Sequence, residues 1–214
     1  MSFYGRQRSA IDLAIVVNKR SIQVMKSTPN IFRIFKQFKK KCNAEFLNAI
    51  FVSFSTSCMI DRYYWQSDKV KEKVSLGVML SDITLSGNDF ERLSEHNGPW
   101  NELPGKIFRH PLETVEKIQK FTALQGKELQ EVIEFHHEMP DGSGYPRGLD
   151  HRRIPLLACV HIVARHFVED LMAIEFDFKR RDELMAKLYV KFNKGHFKSA
   201  LFTIYEFLNI EKPE

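Results

Sequence analysis

Along most of this chain, apolar residues return every three or four positions. Ile31, Ile34, Phe35 and Phe38 make one stripe, Phe46, Leu47, Ile50, Phe51 and Phe54 a second, and Val70, Val74, Val78 and Met79 a third. The rhythm continues in Val115, Ile118 and Phe121, then in Leu129, Val132, Ile133 and His136. Steps of three and four put side chains on one face of a helix, so each stripe predicts an amphipathic helix with one buried face. The two-residue alternation of a half-buried strand is nearly missing. The expected fold is all-α, a compact bundle of about seven to nine helices.

Turn formers fall between the stripes: Pro29 and Asn30, then Ser86, Gly87 and Asn88, then Gly98 with Pro99, Pro104 with Gly105, and a loop from Asp141 to Gly148. Pro155 suits the first turn of a helix through the apolar run that follows it. Two more amphipathic helices fit residues 181–192 and 196–208, parted by Gly195. No repeat or linker interrupts this. Residues 43–214 read as one helical domain, and residues 1–42 as a helical extension packed on it or leading from an upstream domain.

Composition narrows the classes. A chain of 214 residues, 43% of them hydrophobic, can bury one sizeable core. The net charge of +5 is modest, and its densest cluster, Lys36, Lys39, Lys40 and Lys41, reads as a solvated helix face rather than a nucleic-acid arm. Cys42, Cys58 and Cys159 are an odd number at wide spacing, which suits buried free thiols in a reducing cytoplasm. Asp12 interrupts the apolar part of the start and spoils a signal peptide. The longest uncharged run, residues 46–60, is shorter than the ~20 residues of a membrane span.

One stretch carries chemistry: residues 136–149, HHEMPDGSGYPRGL. Adjacent helical residues point about 100° apart, so His136 and His137 reach one ion together only at a helix end, which is where this loop begins. A bare His-His pair would more simply be one core and one exposed histidine. The loop changes that. Through His136, His137, Glu138, Asp141, Gly142, Ser143, Gly144, Tyr145, Pro146, Gly148 and Leu149 it resembles the signature of the HD-GYP family, helical bacterial domains of the HD metal-dependent phosphohydrolase group. His110 with Pro111, the run from Arg153 to Leu156 and a last helix after Gly195 extend the resemblance over roughly the last 170 residues. It implies a phosphodiesterase that cuts cyclic di-GMP with two or three iron-like ions, and a GYP loop that docks GGDEF-domain proteins.

Carried over position by position, the resemblance implies metal ligands at Asp82, His110, His136 and His137, with Glu45 as a further candidate. It also exposes losses. One histidine position is Ala49, with Asn48 the nearest substitute; the first residue of the HDxGK motif is Ser81 and its lysine is Leu85; a late aspartate is Arg165. A methyl group offers no lone pair, a hydroxyl is a poor replacement for imidazole, and a guanidinium cannot deprotonate to ligate. One ion's ligands are therefore gone, while three imidazoles and a carboxylate suffice for a single iron, manganese or zinc ion, or stand as a relic with none.

Arg165 can pair with Asp82, grip a phosphate in a bidentate manner, or turn to solvent. Tyr145, Arg147 and Arg165 are the candidate ligand-binding residues. In the loop of Asp141, Gly142, Gly144 and Pro146, positive φ at Gly142 and Gly144 is expected to converge backbone amides, beside Arg147, on a phosphate or guanine edge. His96, His151, His161 and His196 read as surface or core residues, and His166 has no assigned role. Three functions compete. The first is a degenerate domain that binds cyclic di-GMP, a related nucleotide or a GGDEF partner without efficient hydrolysis. The second is a metal-dependent phosphodiesterase using Asp82 and the remaining ion, and the third is a structural interaction module.

Overall fold

The stripes become helices. The computed structural model describes residues 3–63 and 67–213, apart from the side chains of residues 3, 4 and 6. In chain order the described residues form α1 (Phe3–Lys26), α2 (Pro29–Lys41), α3 (Asn43–Ile60), α4 (Asp68–Leu80), α5 (Gly87–Glu95), α6 (Gly105–Ile118), α7 (Lys127–Glu134), α8 (Leu156–Ala173), α9 (Arg181–Phe192) and α10 (Gly195–Leu208). Short 3₁₀ turns join some of them. No strand is present among the described residues; one isolated bridge pairs Asp141 with Asp150. No described helix is long and apolar enough to cross a membrane.

The helix that the apolar pattern missed is α5. It buries none of its residues, so no stripe marks it, and it stands on local chemistry instead. Ser86, a turn former in the sequence, is its N-cap: the Asp89 carboxylate accepts from the Ser86 backbone N–H at 2.8 Å.

α8 is the central helix. It buries Leu157 through Ala164 and Val168, so it is apolar nearly all round, and α3, α9 and α10 pack against it. α4 serves two apolar clusters at once. Val74 and Val78 face the α3 and α8 side, whereas Leu76, Met79 and Leu80 face α2, α6 and α7. Each such side chain removed from water contributes about 1.5–3 kcal/mol, so α4 is pinned from both sides.

Gly77 fixes how closely α4 meets α7. A Cβ there would lie 3.1 Å from the Leu129 carbonyl oxygen and 3.2 Å from a Val132 methyl, tighter than ordinary packing. The close approach places the residue that follows α4, Asp82, beside the residues that follow α7, His136 and His137.

The first two helices are packed on the rest. Ser21 of α1 donates to Ser75 of α4 at 3.1 Å, and Ser53 of α3 donates to Asn18 of α1 at 2.8 Å. The resulting polar seam is buried and fixes the seat of α1 on α3 and α4. Lys36, Lys39, Lys40 and Lys41 lie on the exposed face of α2, and all three cysteines are buried and free.

Candidate metal centre

Two sequence details aim the histidines. Pro111 has no N–H, so the Ile107 carbonyl, four residues earlier, lacks its helical donor. The Nδ1 of His110 takes that carbonyl at 2.6 Å. His136 does the same at the end of α7, where a last-turn carbonyl has no intrahelical partner: its Nδ1 meets the Ile133 oxygen at 2.6 Å. A carbonyl only accepts, so each ring keeps its proton on Nδ1 and turns the Nε2 lone pair into the site.

Those lone pairs converge on Asp82. Its Oδ1 lies 3.1 Å from His110 Nε2 and 3.3 Å from His136 Nε2, and the two nitrogens are 3.2 Å apart. His137 completes the group, its Nε2 4.0 Å from the same oxygen. The ligand atoms of Asp82, His110, His136 and His137 all lie within 4.8 Å of one another. Two ligands each ~2.1 Å from a tetrahedral ion are about 3.4 Å apart, close to the spacings seen among Asp82, His110 and His136. Three electron-rich atoms at such distances need a shared cation or proton, so the donor set fits a single divalent metal.

The electrostatics agree with that donor set. Burial alone would raise the Asp82 carboxyl, but the facing His110 and His136 outweigh it and hold the group well below the usual carboxylate range. Burial lowers His136 and, with the neighbouring His136 and Arg165, takes His137 well below an ordinary imidazole. Neutral imidazoles and an ionised carboxylate are the forms that ligate.

Asp82, His136 and His137 line a cavity of about 840 Å³, within the range of small-molecule sites, and His110 is buried behind them. The same cavity is lined by the substituted positions Ala49, Ser81 and Arg165. Ala49 presents only a methyl group, and the Ser81 hydroxyl is spent on the Val78 carbonyl at 2.9 Å. Glu45 and Asn48 line the cavity but stand outside the cluster of four ligands. Leu85 is buried in packing, away from the cavity wall.

Arg165 turns into the cavity, not to solvent, and its direct partners are not Asp82. Its Nε donates to Glu169 at 2.8 Å, and its Nη1 lies 3.3 Å from His137 Nε2. Burial opposes its charge, yet Glu169 and Asp82 outweigh that and hold it firmly protonated.

The loop corrects three expectations. Arg147 points away from the cavity: it pairs with Glu134 and lies over the Phe135 ring, because both acceptors are at the end of α7 beside it. Gly144 does not take positive φ; Gly142 and Gly148 do, at 81° and 62°. Gly144 is needed for closeness instead, since a Cβ would fall 2.4 Å from both the His137 oxygen and the Met139 nitrogen. The loop amides do not form a free anion cradle either. The Arg147 and Leu149 N–H groups each donate to the buried Glu138 carboxylate at 2.8 Å, and Ser143 donates to Asp141 at 3.0 Å. Glu138 is thus the latch of the loop.

Tyr145 stacks on His137, ring centroids 4.4 Å apart and planes 15° from parallel, and its ring meets Trp100 at 5.2 Å. Its hydroxyl is buried with no partner among the described residues, as is the Asn48 carbonyl oxygen; both residues line the cavity. Sequence reading passed over three wall residues, Trp100, His161 and His166, which no local motif marks. His161 stacks behind His136 at 5.8 Å and bonds the Val132 carbonyl, and burial pushes it down to about 3. His96, by contrast, is half-buried away from the cavity and bonds the Pro99 carbonyl.

No protein-family model and no curated protein matches the chain. Among solved structures, the fold matches Bd1817, a HDG"Y"P protein from Bdellovibrio bacteriovorus. The TM-score is 0.55, with 18% identity over 95% of this chain and 70% of that one. The chain has an all-helical, HD-GYP-like fold.

Proposed function

We propose that this chain is a degenerate HD-GYP domain of cyclic di-GMP-related signalling, a cytoplasmic module that binds the dinucleotide or a related nucleotide without efficient hydrolysis. One observation carries the reading: four ligating side chains converge while the same cavity is lined at the substituted positions by Ala49, Ser81 and Arg165. Asp82, His110 and His136, with His137 the fourth candidate, would hold one iron, manganese or zinc ion. Such an ion supplies Lewis acidity and an acidified water. Ala49, Ser81 and Arg165 offer no donor set for a second ion, so one clamp on the charge of a phosphodiester transition state is gone. A loss of ~4 kcal/mol at one such contact slows a reaction about a thousandfold.

Binding survives that loss. The cavity has the size for a nucleotide, Trp100 lines it with an aromatic ring, and the Tyr145 hydroxyl and the Asn48 side-chain oxygen await partners. Asp141, Ser143 and Arg147 are exposed on the loop and offer a GGDEF-domain partner a polar docking face.

The test pairs a cyclic di-GMP titration with an assay for linear dinucleotide, on the natural chain and on Ala49→His, Ser81→His, Arg165→Asp, each with iron and manganese. The expected result is binding without product from the natural chain and product only from the variant. Robust turnover by the natural chain, abolished in His110→Ala, would overturn the reading.

A further inference from the structure

Of the four clustered residues, His137 stands apart. Its Nε2 is 4.0 Å from Asp82 Oδ1, against 3.1 and 3.3 Å for His110 and His136, and lies nearer to Arg165 Nη1, at 3.3 Å. A guanidinium has five donors and no acceptor and does not deprotonate in a protein, so at 3.3 Å from Nη1 the His137 Nε2 must be the acceptor. The lone pair that receives Arg165 is the lone pair a metal would need.

We infer that Arg165 and a divalent cation compete for the Nε2 of His137. While Arg165 is seated, the centre offers an ion Asp82, His110 and His136; His137 joins only when the guanidinium leaves. The inference rests on the metal centre proposed above. What seats Arg165 is Glu169, one turn further along α8, whose Oε1 takes the Nε at 2.8 Å and aims the rest of the fork at His137. Tyr145, stacked on the imidazole, keeps the His137 ring from swinging away from either contender. Arg165 is thus a positioning residue: it decides which ligands reach the ion.

Competition differs measurably from simple repulsion between a guanidinium and a divalent ion. Repulsion is relieved by removing Arg165 whether or not His137 is there; competition is relieved only when His137 is present to ligate. The experiment is a double-mutant cycle. Zn²⁺ affinity is measured against a chromophoric chelator for the natural chain, Arg165→Met, His137→Ala and the double variant, with thermal melts to show that each is folded. Arg165→Ala repeats the measurement in case the methionine packs into the site.

The expected result has three parts. His137→Ala alone changes affinity less than about threefold, Arg165→Met tightens it by about tenfold or more, and the double variant loses that gain. Equal tightening with and without His137 would overturn the inference in favour of repulsion, and so would no tightening at all. Failure of every protein to bind Zn²⁺, natural chain included, would remove the metal centre itself and the inference with it.

Discussion

The kept and the substituted positions of the site are held in different ways. Among the kept ones, the three histidines are each held by something outside the cluster: a carbonyl freed by Pro111, a carbonyl left over at the end of α7, a tyrosine face. Asp82 meets His110 and His136 within it. Among the substituted ones, Ala49 and Ser81 have nothing to offer an ion, and Arg165 is paired with Glu169. Where a histidine is present its orienting contact is present too, and where the ligand is absent the position makes ordinary helix contacts.

Gly144→Ala should have the largest effect. The new Cβ would lie 2.4 Å from backbone atoms on the His137 and Met139 side of the loop, so the loop and His137 must move together. We expect a loss of at least about 3 kcal/mol, or a melting temperature lower by ~6–12 °C for a chain of this length. An unchanged melt would mean the loop is not packed as described.

Next come one kept and one substituted position. His110→Ala removes a ligand whose orientation is fixed, and Zn²⁺ affinity should fall by about a hundredfold or more, whereas Ser81→Ala should change it less than about threefold. Similar losses from both substitutions would erase the contrast between the kept and the substituted positions.

The smallest effect concerns acid. His161, 2% exposed behind His136, has its value pushed down to about 3 by burial, below the ~6.5 of an unfolded chain. The unfolded state therefore binds the proton more readily, and stability is full above pH ~6.5 and falls as pH drops toward 3. At about 1.4 kcal/mol per pH unit, His161 should account for roughly 2 kcal/mol between pH 6.5 and 5. Urea midpoints at the two pH values for the natural chain and His161→Phe would show it as a smaller pH dependence in the variant; identical dependences would exclude His161 as the source.

The amphipathic helices were legible because burial of one face imposes a period that any stretch of ten residues displays; His136 and His137 were legible from the loop motif that they open, and Asp82 and His110 only through the family resemblance carried over position by position. Other features had no such local mark. α5 is set by a cap and buries nothing. The direction of Arg147 depends on Glu134 and Phe135 at the end of α7, and the need for Gly144 comes from the backbone at His137 and Met139 folding back on it. Trp100 and His161 join the cavity wall only through tertiary packing, from parts of the chain far from the loop.

The central claim, one surviving ion site beside one lost, is tested most directly by counting metal. Elemental analysis of protein purified without oxygen and saturated with iron, manganese or zinc should give about one ion per chain, falling to background in His110→Ala. Two or more ions per chain would show that Glu45, Asn48 or Ser81 still builds a second site, and background metal in the natural chain would show that the four converging ligands hold none; either result contradicts the account.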